Sequence, residues 1–304
     1  MHLEHFNQYR HLTDFDLTYI KEKRIFFDPP DTEVGSWVGH DLLKWQKGPS
    51  NIIDLGSGSG ATAASFVRQG AAMSIGVDIS QDSLAWSRTQ YEGSEYKNKI
   101  KFISYDFLQS SPKDLESCLT KKEFPKIITS NPPYVPMELE DEQQFISVYG
   151  GGDGLRYFYP TLDHALYFKA DMGITLGSYS SLKTVFSLLE SSGYKVISMT
   201  LCVLPFSQPT LDHFSRIQTL IERGEALIWK GESNDAGYII VGIASVYTGS
   251  KNKGQTESLF RILEKACHSR TSALEELSGK SVAGFEDGVL RVLELPRPGK
   301  RRHW

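Results

Sequence analysis

The sequence of 304 residues predicts an α/β fold, in which helices cover both faces of a doubly wound, mostly parallel sheet. Short β-branched runs alternate with helix-like segments from Ser50 onward, which is the rhythm of strands and crossover helices. Glycine follows several of the helical segments, at Gly70, Gly193 and Gly224, where a left-handed residue closes a helix. The predicted strands are residues 51–55, 73–77, 100–104, 126–130, 172–176, 194–201 and 238–247.

The helical segments occupy the stretches between these strands, as a βαβ arrangement requires. They are predicted over residues 61–69, 81–91, 155–169, 180–192 and 210–223. We expect an N-terminal segment of residues 1–48 bordering the active site, a main domain of residues 49–248 and a C-terminal extension of residues 249–304. Within the extension, residues 256–268 and 272–277 favour helices and residues 289–295 favour a strand.

Composition and charge place the chain among ordinary globular proteins, with 40% hydrophobic and 23% charged residues. The net charge of −4 gives no overall attraction to nucleic acid, so nucleic acid is a less favoured partner. Cys118, Cys202 and Cys267 lack C-x-x-C spacing, which favours reduced thiols and a cytoplasmic location. The most apolar stretch, residues 238–246, is about half as long as a membrane helix, and no membrane partner is expected.

A glycine-rich turn, Asp54-Leu55-Gly56-Ser57-Gly58-Ser59-Gly60, follows the first predicted strand. Glycine lets the backbone turn sharply and approach a ligand, so the turn predicts a site for a nucleoside-bearing cofactor. The spacing is neither that of a dinucleotide site nor that of a phosphate loop. S-adenosyl-L-methionine carries no phosphate and fits this turn. The residues of the turn expected to bind it are Asp54, Gly56, Ser57, Gly58 and Gly60.

Acidic residues end the next two predicted strands. Asp78 with Ile79 is placed to accept hydrogen bonds from a ribose diol, and Asp106 to accept the adenine amino proton while Phe107 packs on the ring. The alternative is that each aspartate caps a helix or turn. Both aspartates follow successive predicted strands after the glycine turn, and this order favours the interpretation that they bind a ligand.

Asn131-Pro132-Pro133-Tyr134 follows the predicted strand 126–130. The Asn131 side-chain oxygen and the Pro132 carbonyl are two acceptors that can hold an amide or amino group with its lone pair toward a methyl donor. Tyr134 offers a π-face to a planar acceptor. We therefore predict Asn131, Pro132 and Tyr134 as catalytic residues, with Asn131 also near the cofactor. No metal is required, and the histidines lack the spacing of metal ligands.

This NPPY motif resembles that of the glutamine methyltransferases of peptide-chain release factors, a family of nitrogen-directed class I methyltransferases with a Rossmann-like fold. Three further segments are similar to the family: Asp28-Pro29-Pro30-Asp31-Thr32-Glu33, Gly151-Gly152-Asp153-Gly154-Leu155 and Leu176-Gly177-Ser178-Tyr179. The resemblance implies that Asn131 binds the acceptor amide, Asp78 the ribose and Asp106 the adenine, and that Thr32 and Glu33 help to shape the site. It also implies S-adenosyl-L-methionine as cofactor and a cytoplasmic transferase with a seven-stranded sheet.

The sequence also departs from the family pattern. Pro29 stands where the family has arginine, and fewer than 26 residues precede the resemblance, where the family has a domain for release-factor recognition. A loop of residues 204–209 leads into a helix and is expected to cover the pocket and enclose a small acceptor.

Several functions remain open at this point. The first is methyl transfer to an amide or amino nitrogen, in protein glutamine or in a small metabolite. The others are nucleic-acid adenine methylation, cyclisation of the cofactor's own aminobutyrate arm, and cofactor binding without catalysis. The acceptor, the oligomeric state and the role of residues 249–304 are not readable from the sequence.

Overall fold

The computed structural model describes residues 1–17, 25–93, 95–96, 98–231, 236–250, 254–268, 274–276 and 278–296. Ten strands form one sheet in these ranges. They are β1 (His2–Phe6), β2 (Asn51–Leu55), β3 (Met73–Asp78), β4 (Ile100–Ser104), β5 (Ile127–Ser130), β6 (Asp171–Gly177), β7 (Tyr194–Pro205), β8 (Trp229–Lys230), β9 (Ala236–Tyr247) and β10 (Val289–Leu293).

The sheet has the order β1-β10-β7-β9-β6-β5-β2-β3-β4, and the short β8 pairs with β9. Strand β9 runs antiparallel to both of its long neighbours, β6 and β7, while the remaining main strands pair in parallel. The predicted α/β fold is confirmed as a Rossmann-like methyltransferase fold with a mostly parallel sheet. All seven predicted strands are present, including the antiparallel last one.

The predicted count of seven strands was too low, because β1, β8 and β10 extend the sheet. Strand β1 contains two histidines and a glutamate and is half-exposed, so it lacks the apolar alternation that identifies strands. Strand β10 was predicted as a strand, but its parallel pairing with β7 depends on distant contacts. The sheet is therefore continuous across the predicted boundaries at residues 48 and 248.

The helices pack on both faces of the sheet. They are α1 (Pro29–Gln46), α2 (Ala61–Arg68), α3 (Gln81–Ser87), α4 (Pro112–Ser117), α5 (Phe158–Phe168), α6 (Leu182–Ser191), α7 (Gln208–Asp212), α8 (Phe214–Glu222) and α9 (Gln255–His268). The segment predicted as one helix over 210–223 is two helices, with His213 between them. Residues 272, 273 and 277 of the helix predicted over 272–277 lie outside the described residues.

Helix α1 crosses the middle of the sheet, against β5, β6, β7 and β9. Asp28 caps its start by accepting a hydrogen bond from the Asp31 amide, and proline occupies the first turn. The sequence did not reveal this helix, because burial on most sides removes the polar face that gives a helix its periodicity. Its first turn reaches the carboxyl ends of the central strands.

Arg291 of β10 connects the two chain ends to α1. Its guanidinium bonds both Asp41 oxygens at 2.8 and 3.1 Å, contacts Glu4 and lies 3.8 Å from the Trp37 ring centroid. The side chain is buried, so its charge is compensated by these partners rather than by water. The C-terminal extension thus has a structural role in the edge of the sheet.

No helix within the described ranges is long and apolar enough to span a bilayer.

Candidate functional site

A cavity of about 630 Å³ opens at the carboxyl ends of the central strands. The order of the sheet reverses direction at β2, since β3 and β4 lie on one side and β5 and β6 on the other. Open α/β sheets bind ligands at such a switch point, and the volume is that of a small-molecule site. The predicted site residues that line the cavity are Gly56, Gly58, Asp78, Ile79, Asp106, Phe107, Asn131, Pro132 and Tyr134.

The glycine turn forms one wall. The amides of Gly56 and Ser57 donate to the Val77 carbonyl, which ties the turn to the end of β3. Gly58 has a φ of +51°, and a Cβ added there would meet one atom within 4 Å, the Phe26 carbonyl oxygen at 3.6 Å. The backbone is therefore open to a ligand at Gly58. A glycine backbone without a Cβ lets a ligand approach closely, as the predicted nucleoside site requires.

Asp78 joins the glycine turn to the next strand. Its Oδ2 accepts from the Gly58 amide and its Oδ1 from the Ser80 amide, both at 2.8 Å. Helix α3 is capped by the Ser80 side chain, so Asp78 is not the helix cap. Burial raises the pKa of Asp78, while the amides that it accepts act in the opposite direction. A carboxylate has about four acceptor positions, so Asp78 can also accept from a ribose hydroxyl, which is the role we predict for it.

Asp106 and Phe107 lie beyond β4. The Oδ1 of Asp106 accepts from the amides of Leu108 and Gln109 at 3.0 and 3.2 Å, which fixes the loop. Phe107 is buried between Gly56 and Tyr157, whose ring centroid is 5.6 Å away. This arrangement provides an aromatic face and a carboxylate side by side, as adenine recognition requires.

The turn that carries Asn131 and Tyr134 begins directly after β5. The Asn131 Oδ1 atom is buried and has no hydrogen-bond partner in the part of the chain that the structure describes. The Tyr134 carbonyl accepts from the Ser180 hydroxyl at 2.9 Å. Gly150 and Gly154 pack against the Tyr134 backbone so closely that an added Cβ would lie within 2.8 Å of it. The glycine segment 150–154 therefore packs against the Asn131–Tyr134 turn and holds the acceptor atoms of that turn in place.

Asp31 is a site residue whose role the sequence did not reveal, although it lies in one of the segments that resemble the family. It lines the cavity, is 5% exposed, and accepts from the Tyr134 hydroxyl at 3.2 Å. Burial raises the pKa of Asp31 to about 8, and the negative charge of Asp28 adds to the rise. Side-chain hydrogen bonds from Tyr134 and Asn131 lower it in part. The sequence indicated Asp31 only through its place in the family-like segment 28–33. Its burial could not be predicted, because that depends on how α1 packs on the sheet.

Five predicted cofactor residues are not among those that line the cavity, and their contact with the cofactor stays a prediction: Thr32, Glu33, Asp54, Ser57 and Gly60. The Glu33 carboxylate accepts the amides of Arg10, His11 and Leu12 and anchors the N-terminal loop. Asp54 accepts from Thr129 Oγ1 at 2.9 Å within the sheet. Gly60 starts α2 with a φ of +80° beside Phe102. In this structure Glu33, Asp54 and Gly60 make structural contacts next to the cavity wall.

No cluster of His, Cys, Asp and Glu side chains suited to a metal ion occurs among the residues that the structure describes.

Residues 53–118 match the protein family described as Methyltransferase domain. The release factor glutamine methyltransferase of Buchnera aphidicola is 36% identical over 107 residues, which are 35% of this chain and 34% of that protein. The protein of the same description from Streptomyces coelicolor is 28% identical over 141 residues, or 43% of this chain and 46% of that protein. The chain thus spans less than half the length of these curated relatives.

Among solved structures, the hMettl16 catalytic domain in complex with a MAT2A 3′UTR hairpin covers 77% of this chain and 75% of its own, at 15% identity and a TM-score of 0.48. This likeness is too distant to bear on function.

The fold and the match over residues 53–118 are those of a class I methyltransferase domain, and enzymes of this class use S-adenosyl-L-methionine as cofactor. The residues fit this cofactor: an open glycine backbone, a carboxylate after β3 and an aromatic face after β4 form one wall. Gly58, Asp78 and Phe107 are the residues that would hold it.

Proposed function

We propose that this protein is an S-adenosyl-L-methionine-dependent methyltransferase that acts on an amide or amino nitrogen. One observation carries the proposal: the Asn131 turn lines the same cavity as Gly58, Asp78 and Phe107. The residues suited to a nucleoside and those suited to a nitrogen acceptor therefore lie on one surface. When bound, the cofactor supplies a methyl group activated by a sulfonium, so catalysis depends mainly on positioning.

The Asn131 turn provides the positioning. The unpartnered Asn131 Oδ1 and the Pro132 carbonyl are acceptors for the hydrogens of a substrate nitrogen. Two such acceptors orient the nitrogen lone pair and favour its pyramidal form, which amide and aromatic amino groups resist. Tyr134 contributes a ring face and, through its hydroxyl, a connection to Asp31.

The charge of the cavity wall bears on the class of acceptor. Apart from tyrosines, its ionisable residues in the described ranges are Asp28, Asp31, Asp78, Asp106, Glu142 and Arg156, of which Asp31 has a pKa raised to about 8. Arg156 is already paired with Glu142. A wall with this excess of carboxylates repels the phosphates of nucleic acid, so an adenine in RNA or DNA is the weaker proposal. Protein glutamine is supported by the named relatives, and a small metabolite by the enclosure described next.

The segment of residues 204–210 supports a small acceptor. Leu204, Pro205, Phe206, Ser207 and Thr210 all line the cavity. Phe206 stacks on Tyr238 with ring planes 14° apart and centroids separated by 6.0 Å. Both rings line the cavity, so this contact forms part of its wall. We therefore propose the segment as a cover, and expect cleavage within it to reduce turnover of a small acceptor.

A second candidate function is cyclisation of the cofactor's own aminobutyrate arm. Asp31 favours it, because a buried carboxylate beside Asn131 suits an alkyl ammonium, and the cofactor carries one. In this reaction the amine nitrogen forms a bond to the carbon next to sulfur, that carbon–sulfur bond breaks, and methylthioadenosine leaves. One proton passes from the nitrogen to a base.

A single assay separates the two candidates. The protein is incubated with cofactor labelled in its methyl group, alone and with pools of metabolites, release factors, RNA or DNA. Nitrogen methylation predicts S-adenosylhomocysteine and label transfer to one pool; methylthioadenosine formed without any pool establishes cyclisation. If every condition leaves the cofactor intact although it binds, both candidates are excluded.

A further inference from the structure

Four aromatic side chains line the cavity together with Asp31, at the acceptor end. They are Tyr134, Tyr179, Phe206 and Tyr238. The Tyr179 centroid lies 4.7 Å from that of Tyr238 and 6.0 Å from that of Tyr134. We call these four rings with Asp31 the aromatic box.

The carboxylate within the box has no cationic partner among the described residues. The Asp31 Oδ1 atom is buried without a hydrogen bond, its Oδ2 accepts from the Tyr134 hydroxyl, and the neutral Asn131 amide is the other polar group that acts on the carboxyl. Leaving a buried carboxyl oxygen without a partner is costly, and such groups are normally paired with a cation or hydrogen-bonded. The box is therefore built for a group that the described chain does not supply.

We propose that the aromatic box binds a protonated alkyl amine, which forms an ion pair with Asp31 and is the nitrogen nucleophile of the reaction. This inference rests on the proposed function and narrows the nitrogen acceptor from amides and amines to alkyl amines. Aromatic faces attract an ammonium group through their quadrupoles, and a desolvated carboxylate completes its coordination. A neutral amide gains neither contribution.

The ammonium must lose a proton before its nitrogen can attack. Asp31 lies within the box to accept this proton, after which the neutral amine has a lone pair and the carboxyl group is uncharged. The raised pKa of Asp31, about 8, brings it closer to that of an amine and makes the transfer feasible. The titratable groups that face Asp31 are Asp28, Tyr134, Tyr179 and Tyr238.

Two sources can supply the alkyl ammonium: a separate acceptor or the aminobutyrate arm of the cofactor. The probe is n-butylammonium, with butyramide as its neutral counterpart. Both are titrated by calorimetry into protein loaded with methylthioadenosine, which lacks the arm, or with S-adenosylhomocysteine, which has it. Binding to both loaded forms identifies a separate acceptor; exclusion by S-adenosylhomocysteine identifies the cofactor's own amine.

We expect n-butylammonium to bind about ten- to hundredfold more tightly than butyramide, as a charge-assisted hydrogen bond implies. Binding at pH 7 should release up to one proton, detected as a dependence of the heat on the buffer. Asp31→Asn should abolish both effects. Asp171→Asn is the matched control, because Asp171 is also a buried carboxyl with a raised pKa but lies outside the cavity.

A second variant keeps the test decisive if Asp31→Asn does not fold. Tyr238→Leu retains apolar bulk and removes a ring face, and should weaken n-butylammonium binding by about threefold or more without affecting butyramide. If n-butylammonium and butyramide bind with equal affinity to folded, nucleoside-bound protein, the alkyl-amine inference is wrong but the proposed function is unaffected. Absence of binding by either nucleoside overturns the proposed function instead, so the two failures are distinguishable.

Discussion

The hydroxyl of Tyr134 donates a hydrogen bond of 3.2 Å to Oδ2 of Asp31, and both side chains line the central cavity. This contact links the turn after β5 to the first turn of α1. The turn carries the residues that we propose to position the substrate nitrogen, and the contact joins them to the Asp31 carboxyl group, whose pKa is raised by burial. The acceptor end of the site is therefore both rigid and able to exchange a proton near neutral pH.

Loss of the Tyr134 hydroxyl should shift the titration of Asp31. The hydrogen bond from Tyr134 lowers the pKa of Asp31, so Tyr134→Phe should raise it and move the acidic limb of the pH–rate profile to higher pH. The ring face is retained, so a moderate fall in maximal rate of about tenfold or less is expected. The control is Tyr194→Phe, which removes a buried hydroxyl bonded to the Ala170 carbonyl. An unchanged profile for Tyr134→Phe would speak against a catalytic role of Asp31.

Asn131→Ala should remove the acceptor that positions the nitrogen while sparing the cofactor wall. We expect turnover to fall by about 10²–10³-fold, as for the loss of one oriented hydrogen-bonding group, with cofactor affinity within about threefold of the original. The matched control is Asn51→Ala, because Asn51 lies at the opposite end of β2 and bonds the Lys122 carbonyl. Substantial residual activity, measured by cofactor consumption, would contradict the assigned role.

Gly60 is predicted to be a stability position. Its φ is +80°, and an added Cβ would lie 2.7 Å from Ser87 Cβ and 2.8 Å from the Phe102 ring. Gly60→Ala combines backbone strain with overpacking, so the free energy of unfolding should fall by about 2–4 kcal/mol. Gly70→Ala tests the strain alone, since Gly70 has a φ of +99° and no atoms within 4 Å of an added Cβ. Chemical denaturation giving equal losses for both variants would refute the packing argument.

Asp54 should make stability depend on pH. Burial raises its pKa from 3.8 to about 7, so the folded state binds more protons than the unfolded state between these values. Stability from Asp54 is therefore present at low pH and is lost as pH rises towards 7. Asp54→Asn should raise the melting temperature relative to the original protein more at pH 8 than at pH 5. If the difference in melting temperature between the variant and the original protein is the same at both pH values, or larger at pH 5, Asp54 is not buried as described.

The Arg291 contacts should anchor the C-terminal strand. Arg291→Ala leaves the buried Asp41 carboxylate without its guanidinium, which costs about 3–5 kcal/mol when a buried pair is broken. Arg223→Ala, at an exposed position after α8, is the control and should change stability little. A loss no greater than the control's, measured by denaturant unfolding, would mean that the chain ends contribute little to the fold.

Much of the fold was predictable from the sequence, because each central strand is a compact apolar run between helical segments. The predicted strand 51–55 matches β2, and 100–104 matches β4. Helix α1 and strand β1 were not predicted. The first is buried on most sides and the second is half-exposed and polar, so neither has an interpretable periodicity.

The lining of the cavity was predictable where polar residues or glycines follow the ends of strands, as at Gly58, Asp78 and Asn131. It was not predictable where tertiary packing decides the environment. Asp31 and Tyr238 are separated by more than 200 residues in sequence and meet only because α1 crosses the sheet beside β9. Likewise, the Glu33 carboxylate accepts hydrogen bonds from backbone amides of the N-terminal segment, which no local pattern reveals.

The most direct test of the account is calorimetric titration of the folded protein with S-adenosylhomocysteine, alongside the Asp78→Ala variant. The account predicts one binding event per chain for the original protein, weakened at least about tenfold in the variant through loss of ribose hydrogen bonds. Absence of heat with well-folded original protein at several temperatures would contradict the central claim that this cavity holds the adenosyl cofactor.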